Sequence, residues 1–85
     1  MSNVFNAVAP DFRKVIVEEL KRRDPSLFDD LSQSSAPTNA QSDAVVNLLI
    51  DALSANYGPG HIPNDYGKIL DNAIGAYLMA WPINR

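Results

Sequence analysis

The stretch TNAQSDAVVNLLIDALSANY, residues 38–57, decides the fold. Its apolar residues run from Ala44 through Leu53 and nearly surround a helical axis, leaving a narrow polar strip of Asn47, Asp51 and Ser54. A helix that is apolar on most sides is expected to be buried on most sides, and no period-two alternation competes with this reading. Thr38 supplies the start. Its hydroxyl can accept the Gln41 amide while the Gln41 side chain returns to the Thr38 amide, the reciprocal capping-box pattern. The helix is therefore expected from about Asn39 to Tyr57, as the central helix of the domain or part of a dimer interface. Val46 and Ile50, two large groups on its second side, are candidates for core and for an interaction surface alike.

Downstream, Gly58 suits the left-handed residue that ends a helix, and Pro59 prevents continuation. Asn64 then caps a last helix with Asp65 in its first turn, where the helix dipole favours an anion. Tyr66, Leu70, Ala73, Ile74, Tyr77 and Trp81 form its inward stripe, Ile69 and Leu78 widen that stripe, and Pro82 ends it. Gly75, Ala76 and Ala80 are spaced so that a neighbouring helix could approach closely. Met79 falls outside the stripe. With Trp81, Val46 and Ile50 it completes the candidate interaction surface, since Met and Trp are enriched where proteins meet.

Upstream, residues 32–37 are polar and proline-containing, and are expected to form a loop and the most mobile internal segment. Asp24-Pro25 closes one helix and opens another: the residue before a proline is pushed out of helical geometry, and the aspartate can cap the amides that follow. The short helix it opens carries Leu27, Phe28 and Leu31 on one side and Asp29 and Asp30 on the other, a clip over the core. The first helix spans about Pro10 to Arg23, with Phe12, Val15, Ile16 and Leu20 recurring on one face and Val8 packing back on Phe12. Proline at a first helical position leaves no amide unpaired.

Eighty-five residues without cysteine form one domain, 1–85, near the lower size limit for a self-sufficient core, and exclude disulfides and thiolate chemistry. The net charge of -3 is unevenly placed: five of seven basic residues precede Asp24, and seven aspartates follow from there. That balance disfavours a broad nucleic-acid footprint. No secretory leader or membrane-length apolar run is visible, so a cytoplasmic location and no membrane partner are expected.

Lys14 with Glu18, Glu18 with Arg22 and Glu19 with Arg23 stand four apart, so the first helix reads as a solvated, salt-bridged face rather than a phosphate-binding one. His61, the only histidine, with Asp65 would make an acid-base pair, yet no nucleophile or second ligand stands at a telling spacing, and a structural loop histidine is the simpler reading. Asp24, Asp29 and Asp30 lack the glycine and terminal glutamate of a calcium loop, and Gly58-Pro59-Gly60 lacks the lysine of a phosphate loop. Asp24-Pro25-Ser26-Leu27 is similar to the Asp-Ser-Leu attachment motif of acyl carrier proteins, but a proline interrupts it and the helix that follows is short.

These observations predict an all-α fold, a small compact bundle of three main helices plus one short helix. The expected function is a non-enzymatic protein–protein interaction module, a regulator, adaptor or immunity-type protein, with a protein partner or self-association and no catalytic residue, metal or cofactor. The alternative is a small nucleic-acid- or ligand-binding protein using the basic residues of the first helix.

Overall fold

The computed structural model describes residues 3–56 and 64–83. Among them every regular element is helical: a 3-10 helix Val4–Ala7, then α1 Pro10–Arg23, α2 Pro25–Ser32, α3 Asn39–Ser54 and α4 Asp65–Ala80. None of these helices is long and apolar enough to cross a membrane. The radius of gyration, 12.5 Å, is close to the roughly 12 Å expected for a packed chain of this length.

Local chemistry sets the helix ends. Pro10 occupies the first position of α1 after Ala9. The Asp24 carboxylate accepts the Leu27 amide at 3.1 Å and starts α2. Both bonds of the capping box form at α3, Gln41 amide to Thr38 hydroxyl at 3.1 Å and Thr38 amide to Gln41 Oε1 at 2.9 Å. Asn64 accepts the Gly67 amide at 2.8 Å to start α4. Each cap satisfies an amide that the first helical turn leaves without a partner.

The end of α3 departs from expectation, stopping at Ser54 rather than Tyr57. The Asn56 amide bonds the Leu53 carbonyl at 2.9 Å, a tightened last turn, and its side chain donates to the Ala52 carbonyl at 2.7 Å. That side chain thus satisfies an acceptor that a further helical turn would have used. The Asn56 carbonyl in turn accepts the Asn64 amide at 2.9 Å, tying the end of α3 to the start of α4. Gly58, expected as the helix cap, and the loop from it to Pro63 lie outside the described residues.

One contiguous core joins all five elements. The helix packed against every other element is α1, whereas α3 packs chiefly on α1 and α4, so α3 is not the central helix that its composition suggests. It buries one face, with Val45, Leu49 and Ala52 fully enclosed, and leaves Ile50 44% exposed. Ser42 meets Tyr77 at one end of the α3/α4 pair and Asn56 meets Asn64 at the other, so the two helices run antiparallel. The Ser42–Tyr77 hydroxyl pair, 3.0 Å apart, satisfies both groups inside the core.

The segment before Pro10 contributes more than the sequence indicated. Val4, Phe5 and Val8 are all buried. Four residues are too few to display helical periodicity, and this element is held by groups distant in sequence. Trp81 Nε1 donates to the Val4 carbonyl at 2.8 Å, the Val4 amide bonds the Ser34 carbonyl at 3.0 Å, and the Phe5 ring stacks on Phe28 at 5.7 Å. The polar stretch after α2 is thereby anchored at Ser34, whose hydroxyl also donates to the Asp30 carbonyl at 2.8 Å.

Candidate functional site

Two contrasting places lie along the seam where α1 meets α4. The helices are antiparallel: Tyr66, in the first turn of α4, contacts Glu19 near the end of α1, and Phe12, near the start of α1, shares a groove with Ala76 and Ala80 near the end of α4.

At the first place Glu19 is almost completely buried, with 1% of its surface exposed. A carboxylate there must be fully satisfied, because removing it from water costs several kcal/mol. Tyr66 donates its hydroxyl at 2.6 Å, Arg23 Nε donates at 2.9 Å and Arg22 at 3.3 Å. Burial alone would raise the Glu19 pKa, but the hydrogen bonds from Tyr66 and Arg23 and the two guanidinium charges outweigh it and hold the group below its ordinary value. Tyr66 responds in the opposite sense: burial, then its bond to the Glu19 carboxylate, pushes its pKa up to about 12. The Glu19–Arg23 pair expected from spacing is present, but as a buried hub rather than a solvated face, and Arg22 pairs with Glu19 instead of Glu18. Spacing along one helix could not reveal that Tyr66 covers this carboxylate.

Two further basic residues of α1, Arg13 and Lys21, are also engaged within the fold, while Lys14 is exposed. Arg13 donates to the carbonyls of Phe5, Asn6 and Val8 at 2.9, 3.3 and 3.1 Å, closing the C-terminal end of the 3-10 helix. Lys21 sits 5.0 Å from the centroid of the Phe28 ring. Arg13, Lys21, Arg22 and Arg23 therefore do structural work that charge counting along the sequence assigned to solvent.

At the second place, Ala7, Ala9, Phe12, Ala76, Met79 and Ala80 line an apolar groove of about 410 Å³. Its shape follows from side-chain size. The end of the 3-10 helix and the turn before Pro10 each present one alanine, Ala7 and Ala9, and α4 presents two more. Met79 stands at this groove with 87% of its surface exposed, more than Ile50 or Ile69, the other large apolar groups exposed among the described residues. Fully burying such a side chain is worth about 1.5–3 kcal/mol, which makes it an available source of binding energy.

Of the four residues expected to form an interaction surface, only Met79 lines the groove. Val46 and Ile50 lie on α3, half-buried and exposed respectively, and Trp81 is half-buried with its indole NH bonded to Val4. Gly75 does not mediate a close helix contact: it faces solvent, and an added Cβ would meet nothing within 4 Å. Ala76 and Ala80 instead make the groove wall. His61 lies outside the described residues, and Asp65 is exposed in the first turn of α4. Ser26, in the motif similar to acyl carrier proteins, is exposed in the first turn of α2. Among the described residues no group of three or more His, Cys, Asp or Glu is placed to hold a metal ion.

The chain matches no protein-family model, no curated protein and no solved structure at a significant level.

Proposed function

We propose that this protein is a non-enzymatic protein–protein interaction module, of the regulator, adaptor or immunity type, and that it meets its partner through the groove at Met79. The exposure of Met79 beside an alanine-walled apolar groove carries the reading. A flexible thioether adapts to irregular partner surfaces, and a concave apolar neighbour gives a partner side chain somewhere to be buried. The engagement of Arg13, Lys21, Arg22 and Arg23 within the fold supports this reading over the nucleic-acid alternative, which requires those side chains to reach phosphates. A cytoplasmic site of action accompanies the proposal.

The test is affinity retention from a lysate of the source cell, run in parallel with wild-type chain and Met79→Lys. The expected result is a discrete protein retained by the wild type and lost with the variant. Equal retention by both, or none by the wild type together with a monomeric size in solution, overturns the proposal.

A further inference from the structure

The helical elements fall into two groups that share α1. The helices α1, α3 and α4 pack on one another as a closed three-helix bundle, whereas α2 and the 3-10 helix pack on α1 and on each other. Neither short element makes more than a marginal contact with α3 or α4. The bundle helices have 14 or 16 residues, α2 has eight and the 3-10 helix four. Isolated helices shorter than about 12–15 residues are marginal in water, so the two short elements owe their structure to packing.

The short elements are also coupled. The Val4 amide bonds the Ser34 carbonyl just beyond α2 at 3.0 Å, and the Phe5 ring stacks on Phe28, so neither element leaves α1 without breaking its link to the other. All their connections to the bundle are non-helical: Val8 and Ala9 have ψ of 142° and 140°, Asp24 has φ -151° and ψ 76°, and residues 33–38 contain no helix. The pair can therefore swing away without breaking the interior of any helix. Besides apolar packing, few side chains hold it. Arg13 meets the Phe5, Asn6 and Val8 carbonyls at the end of the 3-10 helix, where intrahelical donors run out, and Trp81 Nε1 meets the Val4 carbonyl. The exposed Lys21 over the Phe28 ring adds a weaker hold.

We propose that residues 4–8 and 25–34 open together as one cooperative unit, hinging at Ala9, Asp24 and residues 35–38 while α1, α3 and α4 stay folded, and that Arg13 and Trp81 are the latches that keep it closed. Proteins open in contiguous units of this kind, the least connected first. Opening uncovers Val4, Phe5, Leu27 and Leu31, which the closed unit buries, together with the side of α1 beneath them. The unit is thus a lid over apolar surface, and its opening does not depend on the interaction reading above.

Native-state hydrogen exchange of the full-length chain tests it. The expected result is one common opening for the Val4, Phe28 and Ser34 amides, at least about tenfold more frequent than the opening that exposes the slowest amides of α1, α3 and α4. Gly75→Ala, on the solvent face of α4, should slow those bundle amides about threefold and leave the unit's amides unchanged, because α4 is intact in the open state. Arg13→Met weakens only the closed state and should speed both sets by the same factor, about tenfold. Trp81→Phe, which removes the indole NH, should speed both sets about threefold and carries the test if Arg13→Met does not fold. A single rate for unit and bundle amides, different openings for Val4 and Phe28, slowing of the unit's amides by Gly75→Ala, or acceleration of the bundle amides alone by either latch variant overturns the proposal.

Discussion

The two ends of the α1/α4 seam are built from opposite materials. At one end a carboxylate, a phenol and two guanidinium groups are drawn together until Glu19 is almost wholly enclosed. At the other, alanines and a phenylalanine form an apolar hollow with Met79 projecting beside it. A residue's polarity therefore predicts its place poorly along this seam. Charged groups hold the helices together where their hydrogen bonds are complete, and apolar groups lie open where small neighbours leave space unfilled. The first end serves the fold, and the second is available to another molecule.

Breaking the polar end should have the largest effect. Glu19→Ala removes the acceptor shared by Tyr66, Arg22 and Arg23, and loss of one member of a buried ionic cluster costs about 3–5 kcal/mol. Arg22 and Arg23 reach solvent and recover hydration, so a loss near 3 kcal/mol is expected in urea unfolding; a change below about 1 kcal/mol would show that the cluster does not join the helices.

Tyr66→Phe should cost about 1.5–3 kcal/mol, the range for a hydrogen bond to a charged group. It should also alter the pH dependence of stability. The folded-state pKa of Tyr66, about 12, lies above its unfolded value of about 10, so its contribution is complete below pH 10 and is lost as pH rises towards 12. The Phe variant should lose that alkaline decline. Glu19 shifts the other way: its folded pKa is depressed, so its contribution is present above the unfolded carboxylate pKa and disappears as pH falls through the folded value. Unfolding midpoints measured across the acid range should decline less steeply for Glu19→Gln than for wild type.

A smaller effect is expected on the solvent face of α4, between the two ends. Gly75→Ala should stabilise the protein by about 0.5–1 kcal/mol in thermal or urea unfolding, since alanine restricts the unfolded chain and its Cβ meets no neighbour. Destabilisation would mean that a close neighbour is present after all.

The parts of this fold written locally were legible in the sequence. Pro10, Asp24-Pro25, Thr38 with Gln41, and Asn64 each act within four residues of themselves, and all mark helix starts. What escaped sequence reading depends on residues far apart in the chain. Glu19 is a buried hub because Tyr66 reaches it across 47 positions, and the 3-10 helix is fixed by Trp81 across 77. The early end of α3 depends on the Asn56 side chain, which competes for the Ala52 carbonyl where composition alone would extend the helix. Of the candidate surface, Met79 was visible because it leaves the helical stripe. Ala7, Ala9, Ala76 and Ala80 were not, since four alanines define a hollow only after the helices are placed.

The central claim is that the open end of the seam contributes little to holding the fold and remains free for a partner, and equilibrium urea unfolding of Met79→Lys tests it most directly. Lysine in the last turn of α4 suits the helix dipole, and Met79 is already 87% exposed, so stability should stay within about 0.5 kcal/mol of wild type. A loss of about 2 kcal/mol or more would show that Met79 belongs to the core, and would contradict the division of the seam into a structural end and an open one.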